Sequence, residues 1–262
     1  MTAWGTMDRV PAELFDTWTA AVEREGERFG VVAQELDAGR TPAAGGLQAA
    51  VPWLTDWTAR DLVSHLGVVH RWVVGILRAG TTQRPRSPRD LAPPDEDLHG
   101  WYAQGLIELV ATLRTTDPDA PAWHMSPAAA QTAGSWARRQ AHEHTVHRHD
   151  LEAAASLAHA PVDPVLAGDG VDELLAVVLP RWQHTAPLAT GRARVGVVAT
   201  DLARSWTVEV ADGAVRCTDG PAADPDAEVA GTATQLLLHL WGRPGEVAVH
   251  GDRSAEALLR GR

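Results

Sequence analysis

The sequence predicts an α+β protein in which a four-helix bundle precedes a small domain of mixed helices and strands. In the first 160 residues, four segments repeat apolar residues every three or four positions, and loops rich in Pro, Gly or Arg separate them. After Pro161, short segments alternate or cluster apolar residues, as strands do. We therefore expect two domains, 1–160 and 161–262.

Each helix of the bundle is predicted from its apolar stripe. Thr58 followed by Asp61 indicates the start of the second helix, as a variant of the capping box. The predicted helices cover 11–37, 58–78, 96–115 and 135–159.

The second half is predicted to combine helices with a small sheet. A helix over 166–182 comes first, and Asp212-Gly213 is a hairpin turn signal between two of the predicted strands. We expect strands over 194–200, 206–210 and 215–218, a helix over 232–241, and two closing segments over 246–250 and 255–260.

Composition excludes several classes of function. The formal net charge is −11, so a general affinity for nucleic acid or for an anionic membrane surface is not expected. Cys217 is the one cysteine, so the chain forms no internal disulfide. None of the 23 basic residues is a lysine, which removes Schiff-base chemistry. With no signal pattern and no apolar run long enough to span a bilayer, a cytoplasmic location is expected.

The fourth predicted helix carries charged side chains on an inward face. Glu143, His147 and Asp150 share one stripe with apolar residues at both ends, and burying such charges unpaired costs several kcal/mol per ion as an order of magnitude. His65 lies in the apolar stripe of the second helix. Two histidines and one carboxylate form a common catalytic zinc set, so these helices predict a site for one divalent metal at His65, Glu143 and His147, with zinc as the first choice.

Other interpretations of the same residues stay open. Taken alone, Glu143 and His147 fit a solvated polar face equally well, and His65 fits a core histidine better. The joint pattern favours the metal site. Three further histidines lie off the stripe, and we expect them at the surface: His142, His144 and His149.

Four short motifs resemble the family of mycothiol-dependent maleylpyruvate isomerases. The resemblance covers roughly residues 10 to 255, and the metal helix is its most specific part. It implies a DinB-like metal-binding bundle followed by a sterol-carrier-like domain, and a source among the actinobacteria. The motifs are Trp57–Gly67, Arg138–Asp150, Asp169–Glu173 and Leu240–Arg243.

The resemblance implies roles for the site residues. His65, Glu143 and His147 would bind the metal, Asp150 would lie nearby, and Arg243 would hold a substrate carboxylate. The external thiol would be mycothiol, adding to a cis double bond and leaving after rotation. For Arg243, a surface arginine at a helix C-terminus is the other interpretation.

The leading hypothesis is therefore thiol-mediated cis–trans isomerisation of maleylpyruvate or a related unsaturated acid. An alternative is a mycothiol S-transferase that acts on an electrophilic small molecule. A third is a non-catalytic carrier of a small ligand.

Overall fold

The computed structural model describes residues 10–88, 91–94, 96–185, 192–211 and 213–260, which form two compact units. The first unit comprises residues 10–124 and 131–161, and the second comprises 125–130 and the described residues from 162 onward. Helices dominate the first unit and a mixed sheet the second, so the predicted α+β class is confirmed. The first unit contains four long helices: α1 (Ala12–Asp37), α2 (Ala59–Ala79), α3 (Leu98–Thr115) and α4 (Ala133–Ala154).

The four helices form a bundle in which α1 packs against α3 and α4, and α2 also packs against α3 and α4. The predicted stripe of α1 is buried at Trp18, Val22 and Phe29. Glu25 interrupts that stripe and is 5% exposed, because Arg148 of α4 donates a hydrogen bond to its carboxylate. A buried ion pair thus joins α1 to α4.

The start of α2 is fixed by a capping box. The Oγ1 of Thr58 accepts a hydrogen bond from the backbone N–H of Asp61, and the Asp61 carboxylate accepts one from the N–H of Thr58 at 2.8 Å. Gly80 follows the helix with a φ of +58°, a left-handed conformation that suits glycine at a helix end. These signals place His65 in the second turn of a well-defined helix.

The surface positions expected for three histidines of α4 are wrong. His142 and His144 are fully buried and His149 is 7% exposed. Other residues cover the side of α4 that carries these histidines as well as the side that carries Glu143 and His147. The Nε2 of His144 lies 2.8 Å from that of His70 on α2. The ring of His149 stacks on His159 at 3.6 Å, because α4 ends at Ala154 rather than continuing to residue 159, and the chain then folds back.

The second unit contains a five-stranded sheet with the order β3-β2-β1-β4-β5. β1 pairs in parallel with β4, and the other neighbouring strands are antiparallel. A π-helical segment, Leu174–Val178, separates α5 from α6 within the predicted helix 166–182. The elements are α5 (Pro164–Glu173), α6 (Leu179–Thr185), β1 (Ala193–Ala199), β2 (Arg204–Ala211), β3 (Ala214–Asp219), β4 (Ala227–Gly231), α7 (Ala233–Leu240), β5 (Ala248–Gly251) and α8 (Arg253–Ala257).

Most elements of the second unit lie within a few residues of the predicted ones, and β4 is the strand that the sequence did not indicate. At the predicted hairpin, Asp212 lies outside the described residues, while Gly213 has a φ of +78°. Among the described residues, no helix is long and apolar enough to cross a membrane.

Candidate metal centre

His65 of α2 and two side chains of α4, Glu143 and His147, converge in the first unit. Their ligand atoms all lie within 4.8 Å of one another. The side chains are 32%, 20% and 13% exposed respectively, so each is shielded but reachable from solvent. The structure therefore brings together the three residues that the sequence predicted as ligands.

Glu143 lies at the middle of this group. Its Oε1 is 2.9 Å from the Nε2 of His65 and 3.5 Å from the Nε2 of His147, while its Oε2 is 3.2 Å from the guanidinium of Arg139. Burial raises the pKa of Glu143, but hydrogen bonds from His147 and His65 and the charge of Arg139 outweigh it and hold that pKa well below its ordinary value. Glu143 is therefore a carboxylate at neutral pH.

His147 is oriented from behind by Asp150. Its Nδ1 lies 2.9 Å from the Asp150 Oδ2, so this nitrogen carries the proton and the Nε2 faces Glu143. Asp150 is fully buried and also accepts a hydrogen bond from the indole N–H of Trp53. Burial lowers the pKa of His147, but hydrogen bonds to Asp150 and Glu143 raise it to about 9. The two carboxylates thus favour a positive charge at the centre.

Trp57 covers the imidazoles on one side. Its ring lies 5.3 Å from the ring of His65, edge to face, and 6.5 Å from that of His147, nearly parallel. The Trp57 ring therefore limits the access of solvent to the imidazoles on this side only, and His65 stays 32% exposed.

Arg243 and Asp150 were the two predicted catalytic residues. Asp150 lies behind His147, as described, in the first unit. Arg243 belongs to the second unit and follows α7 after Gly242, whose φ is +74°. The Arg243 guanidinium donates a hydrogen bond to the Trp241 carbonyl at 2.6 Å.

Three residues of the centre had no role in the sequence prediction: Arg139, Trp53 and Trp57. Arg139 stands four residues before Glu143, a spacing that places both side chains on one helical face. The contact between them could therefore have been predicted from the sequence. The two tryptophans lie in the irregular segment before α2, where no periodicity indicates direction. Their only signal was two large aromatic residues within five positions of a short loop.

Family comparisons match both units. The family model described as "Mycothiol maleylpyruvate isomerase N-terminal domain" matches residues 29–152, and that of the "MDMPI C-terminal domain" matches residues 165–257. A comparison with curated protein sequences gives no significant match.

Solved structures show the same fold. A crystal structure of the mycothiol-dependent maleylpyruvate isomerase is 13% identical in sequence, with a TM-score of 0.60 over 92% of this chain and 93% of that chain. The structure of its histidine-to-alanine mutant is 12% identical, with a TM-score of 0.61 over the same shares. The two family matches together span most of the sequence, and this chain belongs to the mycothiol-dependent maleylpyruvate isomerase family.

Proposed function

We propose that this protein is a metal- and mycothiol-dependent enzyme that converts maleylpyruvate, or a related unsaturated acid, from the cis to the trans isomer. The observation that carries the proposal is the convergence of His65, Glu143 and His147 in a shielded part of the bundle. Family membership supports the use of mycothiol and this class of reaction.

The three side chains fit one divalent ion. Atoms bound to a single zinc ion at about 2.0–2.2 Å lie roughly 3.4 Å apart in a tetrahedron. The distances from the Glu143 Oε1 to the two histidine Nε2 atoms, 2.9 and 3.5 Å, bracket that separation. Two imidazoles and a carboxylate also leave a position for an external ligand, as catalytic zinc sites do.

The surrounding side chains hold this set in place. Asp150 accepts the Nδ1 proton of His147, which leaves the Nε2 free to coordinate. Arg139 pairs with the Oε2 of Glu143, and the Trp57 ring packs beside the imidazole of His65. When bound, the ion lowers the pKa of a thiol, and the thiolate supplies the reversible addition that lets the former double bond rotate.

In this proposal Arg243 binds a carboxylate of the unsaturated acid. A guanidinium offers two parallel donors to a carboxylate, and its fixed positive charge stabilises the negative charge that develops during thiol addition. The family resemblance supports this role, and substitution of Arg243 tests it.

The direct test is turnover of maleylpyruvate by the zinc-loaded protein, with and without mycothiol. We expect formation of the trans isomer only when thiol is present, with the thiol recovered unchanged. Glu143→Gln, which retains the shape but not the charge of the ligand, should lose most activity. Thiol-independent turnover, or no isomerisation at all, would contradict the proposal.

The same assay separates the S-transferase alternative. An isomerase returns its thiol after each turnover, so free thiol stays constant while substrate disappears. A transferase consumes one thiol for each molecule of electrophile and accumulates a thioether. Counting free thiols during the reaction therefore decides between the two activities.

A further inference from the structure

The two carboxylate oxygens of Glu143 face different partners. The Oε1 lies between the two proposed histidine ligands, 2.9 Å from the Nε2 of His65 and 3.5 Å from the Nε2 of His147. The Oε2 lies 3.2 Å from a guanidinium nitrogen of Arg139. Glu143 therefore presents one oxygen to the ligand group and pairs the other with a positive charge.

Arg139 is confined to this position by the helix and by burial. It stands four residues before Glu143 in the continuous helix α4, so the two side chains lie one turn apart on one face. The Arg139 side chain is 5% exposed, whereas that of Glu143 is 20% exposed. A guanidinium in a protein also keeps its proton. The charge beside the Oε2 is therefore permanent, and solvent screens it little.

A buried cation beside a proposed metal ligand has a cost. Its charge repels a divalent ion bound to the same carboxylate, so this interaction lowers metal affinity. A carboxylate binds a metal through one oxygen or through both. The ion pair between the Oε2 and Arg139 opposes binding through both oxygens, and it thereby preserves a set of three protein ligand atoms. A tetrahedral centre with three protein ligands keeps its fourth position open for an external molecule.

We propose that Arg139 is a positioning residue of the metal centre. It holds the Oε2 of Glu143 away from the metal, so that Glu143 binds through the Oε1 alone and one coordination position stays open. The inference rests on the metal centre of the proposed function and deepens it, because an open position is what admits an external thiol. It does not depend on which acid the enzyme converts.

The visible absorption of the cobalt(II)-substituted full chain tests this role. The d–d bands of cobalt(II) are intense in four-coordinate centres and several-fold weaker in five-coordinate ones. The wild type should give the intense spectrum, from three protein ligands and one water. Arg139→Met removes the charge but retains a long side chain. It frees the Oε2 for the metal, so the absorption should fall several-fold. Arg139→Lys retains a charged donor and should restore most of the wild-type absorption.

The neighbouring arginine of α4 provides a matched control. Arg138 is also buried, but its guanidinium lies over the ring of Trp18 on α1, 5.8 Å from the ring centroid. Arg138→Met makes the same chemical change and should retain the wild-type cobalt spectrum. If circular dichroism shows that Arg139→Met does not fold, Arg139→Gln carries the same test. Its neutral amide pairs less strongly with the Oε2, so its absorption should also lie below that of the wild type.

Wild-type absorption in Arg139→Met, or in Arg139→Gln where the first variant does not fold, would overturn the assignment. A weak spectrum from the wild type itself would also overturn it, and activity of that protein would leave the proposed function intact. A wild type whose intense spectrum weakens in Arg139→Met, but which isomerises nothing, would support the role of Arg139 and contradict the isomerase proposal. A wild type that binds neither cobalt nor zinc would overturn both.

Discussion

Asp150 fixes the ring of His147 through one oxygen and is held by Trp53 through the other. We predict that Asp150→Asn lowers zinc affinity about 10- to 100-fold, because the neutral amide loses the charge that makes His147 a better ligand. Trp53→Phe removes the indole hydrogen bond but retains the Asp150 carboxylate, so it should lower zinc affinity less than Asp150→Asn does. Competition with a chromophoric chelator measures both dissociation constants for zinc. Wild-type zinc affinity in Asp150→Asn would show that Asp150 does not support the metal centre.

Arg243 is predicted to act on the substrate and not on the metal. Arg243→Ala should keep the zinc content and the circular dichroism spectrum of the wild type but lose most turnover with mycothiol and maleylpyruvate. Arg243→Lys should retain more turnover than Arg243→Ala but less than the wild type, since an ammonium cannot make the planar two-point contact with a carboxylate. Wild-type turnover in Arg243→Ala would assign the residue to the surface of the second unit.

At single positions, the sequence was informative where a helix set the direction of the side chain. Glu143 and His147 stand four apart on one inward stripe, and His65 occupies an apolar stripe, so their convergence followed from the helical period. Trp53 and Trp57 precede α2 in irregular backbone, where the direction of a side chain depends on each turn. Their contacts with the centre needed the three-dimensional structure.

Among the elements, α4 shows that a correct prediction for one face of a helix does not determine whether the opposite face is exposed. Its inward stripe was identified from spacing, but its opposite face is polar in sequence and was expected to be exposed. Buried polar side chains on that face find partners, as His144 does with His70 and Arg148 with Glu25. Polarity indicates exposure only where no such partner exists.

The ion pairs of Arg148 give a prediction for the α1–α4 contact. Arg148 is 1% exposed and bonds both Glu25 and Glu152, so removing its charge leaves two buried carboxylates whose other arginine partners, Arg24 and Arg28, are 56% and 44% exposed. We predict that Arg148→Met lowers the free energy of unfolding by about 3–5 kcal/mol. Arg28→Met removes an arginine that also bonds Glu152 but is 44% exposed, and should cost only about 0–1 kcal/mol. Urea unfolding measures both, and equal losses would contradict a special role for the buried pair.

Over the whole molecule, the order of helices and strands was largely readable from the sequence, and β4 was the main omission. Ala227–Gly231 carries one β-branched residue. The sequence therefore gives little indication that its positions alternate between buried and half-buried. Its place beside β1 is set by parallel pairing across a long sequence separation. Local patterns do not encode such a contact.

Metal binding should stabilise the folded protein, because the three ligands meet only when α2 and α4 are packed. Free zinc at 100 times its dissociation constant adds about 2.7 kcal/mol to the free energy of unfolding. For a chain of this size that corresponds to a rise in Tm of roughly 5–10 °C. Calorimetry with zinc and with a chelator should show this shift for the wild type and little shift for Glu143→Gln, while equal shifts in both would place the metal elsewhere.

The central claim is that one divalent ion is held by His65, Glu143 and His147, and elemental analysis of the purified protein tests it most directly. The wild type should contain about one equivalent of metal per chain. His65→Ala, Glu143→Ala and His147→Ala should each lose most of it, while His250→Ala, which removes an exposed histidine of β5, should keep it. A wild type that isomerises its substrate while free of metal, or ligand variants with full metal content, would contradict the claim.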